Sequence, residues 1–166
     1  MVAFRIEDIR ILTQKLFLGT DFDEFLLKEA NVVTFNSFTI DGRIRQGFYS
    51  DDELEMMQIE DFSAWKRIRP ICFSLIKGKK LPGSFHINLQ AAPKQIREFL
   101  QAGPGMPVSE EQIKGLYLHI RYEEGKLYCV TGTSLAFFTL DKTVEMEWDE
   151  YAGRFLREKG IAAVKE

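Results

Sequence analysis

Three observations predict an α+β fold for this chain: one domain, 1–166, of two pseudo-twofold-related halves with a mainly antiparallel sheet. First, the order of signals repeats. A short strand at Phe4–Ile6, an apolar-periodic segment, a turn at Asp41-Gly42 and a helix opening near Trp65 make one set. A strand at Phe85–Leu89, a helix after Pro93, a turn at Glu124-Gly125 and a helix opening near Trp148 make the second. Second, the spacing repeats: Phe4 and Phe85 stand 81 residues apart, Gly42 and Gly125 83, and Trp65 and Trp148 83. Third, each half holds two β-rich runs separated by an Asp-Gly or Glu-Gly turn signal, the mark of a hairpin. Duplicated units of this size fold as one body, each half covering the apolar face of the other. The halves are about 1–80 and 81–160, each roughly strand, helix, strand meander and helix, and 161–166 is expected to be a flexible tail.

Taken in order, Ile9, Leu12 and Leu16 recur at helical spacing, with Asp8 as N-cap and Gly19 as the stop, so residues 8–18 read as a helix. From Phe25 to Phe38 the β-formers cluster. Asn31–Ile40 reads as a strand turning at Asp41-Gly42 into Arg43–Tyr49, with a bulge or longer loop because a two-residue turn sets Phe38 across from Arg45. Trp65, Ile68, Cys72, Leu75 and Ile76 keep helical spacing, Pro70 marks a first turn or a kink, and Gly78 is a stop.

Phe85, Ile87 and Leu89 alternate as a half-buried strand, Pro93 suits the first position of the next helix, and Gly103–Pro107 is a Gly/Pro-rich loop. In the second hairpin a Glu124-Gly125 turn sets Tyr122 opposite Leu127, Ile120 opposite Cys129 and Leu118 opposite Thr131. Leu135–Leu140 is read as a third strand. Trp148, Tyr151, Ala152, Phe155 and Leu156 make the closing helix, ended by Gly160.

Composition narrows the function classes. A chain of 166 residues that is 45% hydrophobic, with 14 Phe, fills a core without staples. It is expected to bury about 70% of the surface its unfolded form exposes. Cys72 and Cys129 sit in apolar patterns without CxxC spacing, and the two histidines are isolated, so neither a metal nor a cofactor is expected. No stretch nears the roughly 18 apolar residues of a membrane span, and no leader-like apolar segment opens the chain. A cytoplasmic location without membrane attachment is the expectation. A net charge of −3 argues against a surface tuned as a whole to nucleic acid.

The stretches RPICFSLIKGKKLPGSFHI and TGTSLAFFTLDKTVEMEWD resemble a small bacterial family of unknown function, a likeness that covers nearly the whole chain. No activity comes with that family, so it implies no catalytic residues. The repeated strand, helix and meander order, and Leu116–Leu140 in particular, also resembles the half-domain of sliding clamps. Clamps line a DNA-sized hole with basic helices. Here residues 7–18 balance Glu7 and Asp8 against Arg10 and Lys15, and residues 93–101 set Lys94 and Arg97 against Glu98. Only the topology is taken from this resemblance, not the function.

Two candidate sites follow from the residues. Arg67, Arg69, Lys77, Lys79 and Lys80 form a basic stretch suited to a phosphate or another anion. The competing reading, which carries more weight, is that they are solvated charges compensating Asp51–Asp61, a segment with six acidic residues and no basic one. Thr131, Gly132, Thr133 and Ser134 offer a backbone nest for an anion, or else an ordinary turn between strands.

Other motifs fail on their own terms. IKGKKLPG lacks the second Gly followed by Lys and Ser or Thr that a phosphate-binding loop needs. Gly132–Ala136 nears a nucleophile elbow but is followed by a β-like run, with both histidines upstream. His119 and Cys129 point to opposite faces of one hairpin, so they form no dyad. Asp141, Glu145, Glu147, Asp149 and Glu150 suit a helix start better than an acid/base cluster, and Trp65 and Trp148 read as repeated core anchors.

The sequence leaves the function unknown, leaning toward a binding or assembly module without catalytic activity, its partner a protein or a second copy. An enzyme or binding protein for a phosphorylated small molecule that uses the basic stretch is the alternative. Nucleic-acid binding through the same stretch is the third reading.

Overall fold

The computed structural model spans residues 1–166, of which all but Lys79 and Pro104 are described. Its elements run β1 (Ala3–Ile6), α1 (Ile9–Phe17), β2 (Leu26–Val33), β3 (Ser37–Asp41), α2 (Asp51–Met57), α3 (Trp65–Ile76), β4 (Ser84–Gln90), α4 (Pro93–Ala102), β5 (Ile113–Glu123), β6 (Lys126–Leu135), α5 (Thr143–Glu158) and β7 (Ala163–Lys165). The strands form one antiparallel sheet in the order β3-β2-β4-β5-β6-β1-β7. The α+β class is therefore as the sequence predicts.

Alternation along the strands turns one set of side chains toward the helices. Phe4, Ala30, Val32, Phe85, Ile87, Leu89, Leu116, Leu118, Ile120, Leu127 and Cys129 are all buried there. The helices close over them through aromatic contacts. Phe17 of α1 meets Trp65 at 5.8 Å and Phe85 at 5.3 Å between ring centroids, and Phe155 of α5 meets Phe22 and Phe25 edge-on. Each tryptophan is buried and finds a carbonyl for its indole N–H: Trp65 donates to Leu16 at 2.9 Å and Trp148 to Tyr117 at 2.9 Å. Those bonds remove the cost of burying a polar N–H, which is what lets both anchors sit in the core.

Local chemistry sets the element ends. Asp8 accepts from the Ile11 N–H and starts α1, and the N–H groups of Leu18 and Gly19 close it on Gln14. Pro93 opens α4 at a position whose N–H has no helical partner. The β5–β6 turn has positive φ at both Glu124 and Gly125, and the register pairs Tyr122 with Leu127, Ile120 with Cys129 and Leu118 with Thr131. That is the register expected from the sequence.

Four expectations need correction. The first hairpin turns at 34–36, not at Asp41-Gly42, and pairs 29–33 with 37–41. That register puts Ile40 and Phe38 beside Ala30 and Val32 on the helix side, whereas a turn at Gly42 needs Phe38 across from Arg45. Asp41 does turn the chain, accepting from the Arg43 N–H, but it turns it out of the sheet. Leu135–Leu140 adds no strand: β6 ends at Leu135, and side-chain to backbone bonds at Thr139 and Asp141 lead into α5. Residues 161–166 are not loose. Ile161 is buried and β7 pairs with β1, with Glu166 N–H bonded to the Ala3 carbonyl.

The fourth concerns symmetry. The element order β-α-β-β-α does recur, as β1 to α3 (with the short α2 inserted) and β4 to α5. The sheet does not follow it, for β4 lies between β2 and β5 while its counterpart β1 lies between β6 and β7.

Candidate ligand groove

Helices α1 and α3 pack side by side, and their ends, with one residue each of β4 and β5, leave a groove of about 660 Å³. Ile9, Arg10, Thr13 and Gln14 of α1 form one wall, and Phe73, Ile76 and Lys77 at the end of α3 form the other. Gly78, Lys80, Leu81 and Pro82 close one side; Phe85 and Tyr122, stacked at 5.3 Å, lie at the base. The lining is mostly carbon with cations at its margin. Leu81, one of its apolar residues, is 82% exposed.

The sequence explains the shape. Helical spacing in α3 turns Trp65 and Cys72 into the core and leaves Phe73 and Ile76 half-buried, so the core surfaces at the helix end. Gly78, at φ +139, and Pro82 then carry the chain away from the helix axis before β4. Half-buried apolar groups beside exposed lysines make a surface chemically suited to both carbon and negative charge.

The structure divides the five predicted cations. Lys77 and Lys80 line the groove, joined by Arg10. Arg69 is used elsewhere: its guanidinium grips Asp23 at 2.9 and 3.2 Å, a pairing that raises its pKa and occupies its fork. Arg67 donates to the Tyr49 hydroxyl at 2.9 Å. Lys79 lies outside the described residues. Compensation by the acidic segment is not what forms: among the described residues, no ion pair joins 51–61 to the basic stretch, and none engages Arg10, Lys77 or Lys80.

That acidic segment instead makes α2, which the sequence reading overlooked. Ser50 caps it by accepting from the Glu53 N–H, while the Glu53 carboxylate accepts from the Ser50 N–H, a bond that holds this carboxyl below its ordinary pKa. The Ser-x-x-Glu signature was legible in the sequence.

The proposed nest at Thr131, Gly132, Thr133 and Ser134 does not form. All four lie inside β6, paired with Leu118, Tyr117, Leu116 and Gly115, and an extended ladder cannot curl its N–H groups around one anion. Thr131 is buried as a structural clasp: its hydroxyl donates to Asp149 of α5 at 2.5 Å and accepts from the Val2 N–H at 2.8 Å. Gly132 has its own reason, since a Cβ there would meet the His119 ring at 3.0 Å. The carboxylates at the start of α5 have separate duties: Asp141 accepts from the Thr143 N–H, which lowers its pKa, and Glu145 pairs with the Met1 amine and with Lys142.

His119 and Cys129 do turn to opposite faces, paired with Val130 and Ile120 respectively. Burial pushes the Cys129 thiol up to about 12 and the Cys72 thiol up to about 11, so neither supplies a thiolate at neutral pH. His119 lies on the sheet face away from the helices, its Nδ1 2.9 Å from the Asn88 Oδ1, its ring against Tyr117, and Lys28 over the Tyr117 ring.

An antiparallel seven-stranded sheet with its core under helices on one face defines an α+β domain, and a cation-edged apolar groove opens between two of those helices. A family model described as a family of unknown function (DUF5721) matches residues 15–163, and the chain belongs to this family. Neither the search of curated proteins nor the search of solved structures returns a match. Among the described residues no helix is long and apolar enough to cross a membrane.

Proposed function

We propose that this chain is a cytoplasmic, non-catalytic binding module whose groove between α1, α3, Gly78 and residues 80–82 takes an acidic amphipathic protein segment. One observation carries the reading: apolar side chains and the three cations Arg10, Lys77 and Lys80 line the same groove, and none of those cations has an ion-pair partner among the described residues. A segment with apolar groups along one side and carboxylates beside them meets both requirements at once. A small phosphorylated molecule meets only the second and leaves the carbon floor uncovered. The buried, protonated thiols and the structural duties of Thr131 and Asp149 also support a module without chemistry.

The test is fluorescence anisotropy with a labelled synthetic helix of twelve residues, Leu along one face and Glu on its flank. Binding is expected at low salt, weakening as salt rises, and falling about tenfold or more in Lys77→Ala/Lys80→Ala and again in Ile76→Ala. Absence of binding, or equal affinity in all three proteins, overturns the reading.

A further inference from the structure

We infer that the occupant of this groove is α2 of a second copy of the chain, so that the module assembles with itself head to tail. The inference rests on the groove reading and names its partner. Four residues of α2 are carboxylates, Asp51, Asp52, Glu53 and Glu55, and no basic residue lies between Asp51 and Asp61. Exposed carbon accompanies them: Met56 is 84% exposed, Met57 57%, and Phe48, just ahead of the helix, 81%. Asp52 and Met56 stand four residues apart, as do Glu53 and Met57, so charge and carbon run side by side along the helix. This is the complement of the groove in both respects, four negative charges to three positive and flexible thioethers to an apolar floor.

The chain cannot satisfy itself. Tyr49 is bonded to Arg67 in the first turn of α3, and Arg43 pairs with Phe62, which holds α2 near the beginning of that helix. The groove is at the other end, among Phe73, Ile76 and Lys77, about 18 Å away along a twelve-residue helix. Donor and acceptor surfaces therefore differ and lie apart, which makes the contact heterologous: a copy that gives its α2 keeps an open groove for the next. Such contacts close into rings or continue as open chains.

Sedimentation of the full chain tests this with two variants that remove charge without reversing it, Lys77→Ala/Lys80→Ala at the groove and Asp52→Asn/Glu55→Gln on α2. The wild type is expected to gain mass with concentration, and to lose that gain at high salt. Each variant alone is expected to remain monomeric. Mixed in equal amounts, they are expected to yield a dimer and nothing larger, because the α2 of the groove variant still fits the groove of the helix variant while the reciprocal contact is blocked. A misfolded variant cannot give that result, and the charge-reversed pair Lys77→Glu/Lys80→Glu with Asp52→Lys/Glu55→Lys adds a second one: mixed, it is expected to grow beyond a dimer, because the reversed helix meets the reversed groove with opposite charge. A wild type that stays monomeric, variants that associate as the wild type does, or a mixture without dimer overturns the inference. If the synthetic helix still binds the wild type in that event, only self-assembly falls; if it does not, the groove reading falls too.

Discussion

His119 shows how a single position is set by its surroundings. Burial, with Arg121 and Lys28 nearby, lowers its pKa below the ordinary value of 6.5. Above pH 6.5 the imidazole is neutral in both folded and unfolded chains, and the stability it allows is fully present. As the pH falls, the unfolded chain takes up the proton first, so stability declines until the folded-state pKa is passed. Urea denaturation between pH 7 and pH 5 is expected to show a smaller loss of stability in His119→Gln than in the wild type, and identical slopes would refute the assignment. The two tryptophans make the complementary point. Both were legible as core anchors, because a large side chain at helical spacing among apolar neighbours (Ile, Cys and Leu after Trp65; Tyr, Ala, Phe and Leu after Trp148) has nowhere else to go. Their carbonyl partners, Leu16 and Tyr117, were not, since each lies on a distant element.

At the scale of elements, the second hairpin was readable to the exact register and the first was not. Glu124-Gly125 needs positive φ and sits between cleanly alternating strands, so turn and pattern agree. At Asp41-Gly42 the same dipeptide logic misled, because glycine there answers to space. A Cβ on Gly42 would lie 1.8 Å from the Leu27 carbonyl oxygen, and the Gly42 N–H bonds to Lys28 beside the register shift in β2. Gly42→Ala is therefore expected to cost about 1–3 kcal/mol, the scale of overpacking a tight site. A chemical denaturation midpoint unchanged by that substitution would contradict the close approach. Helix α2 was missed for a different reason: attention to its charge hid a capping box that its sequence displays openly.

Over the whole molecule, the repeated order of elements was visible in sequence because each half must bury its own apolar stripes at the same spacings. How the strands of the two halves pair was not visible, because pairing depends on long-range choices that no local spacing fixes. The same limit applies to the groove. Lys77 and Lys80 stood out as a charged stretch, but Arg10 and Ile9 join them only because α1 packs beside α3. Arg67 and Arg69, which carry the same charge, are taken up by Tyr49 and Asp23. The central claim is that binding occurs in this groove. Its most direct test is a titration of the isotope-labelled protein with the synthetic acidic helix, followed by the backbone amide resonances. Shifts concentrated at residues 9–14, 73–78 and 80–85 and at Tyr122 are the predicted result. Shifts centred instead on the open sheet face around His119, Arg121 and Tyr128, or none at all, would contradict it.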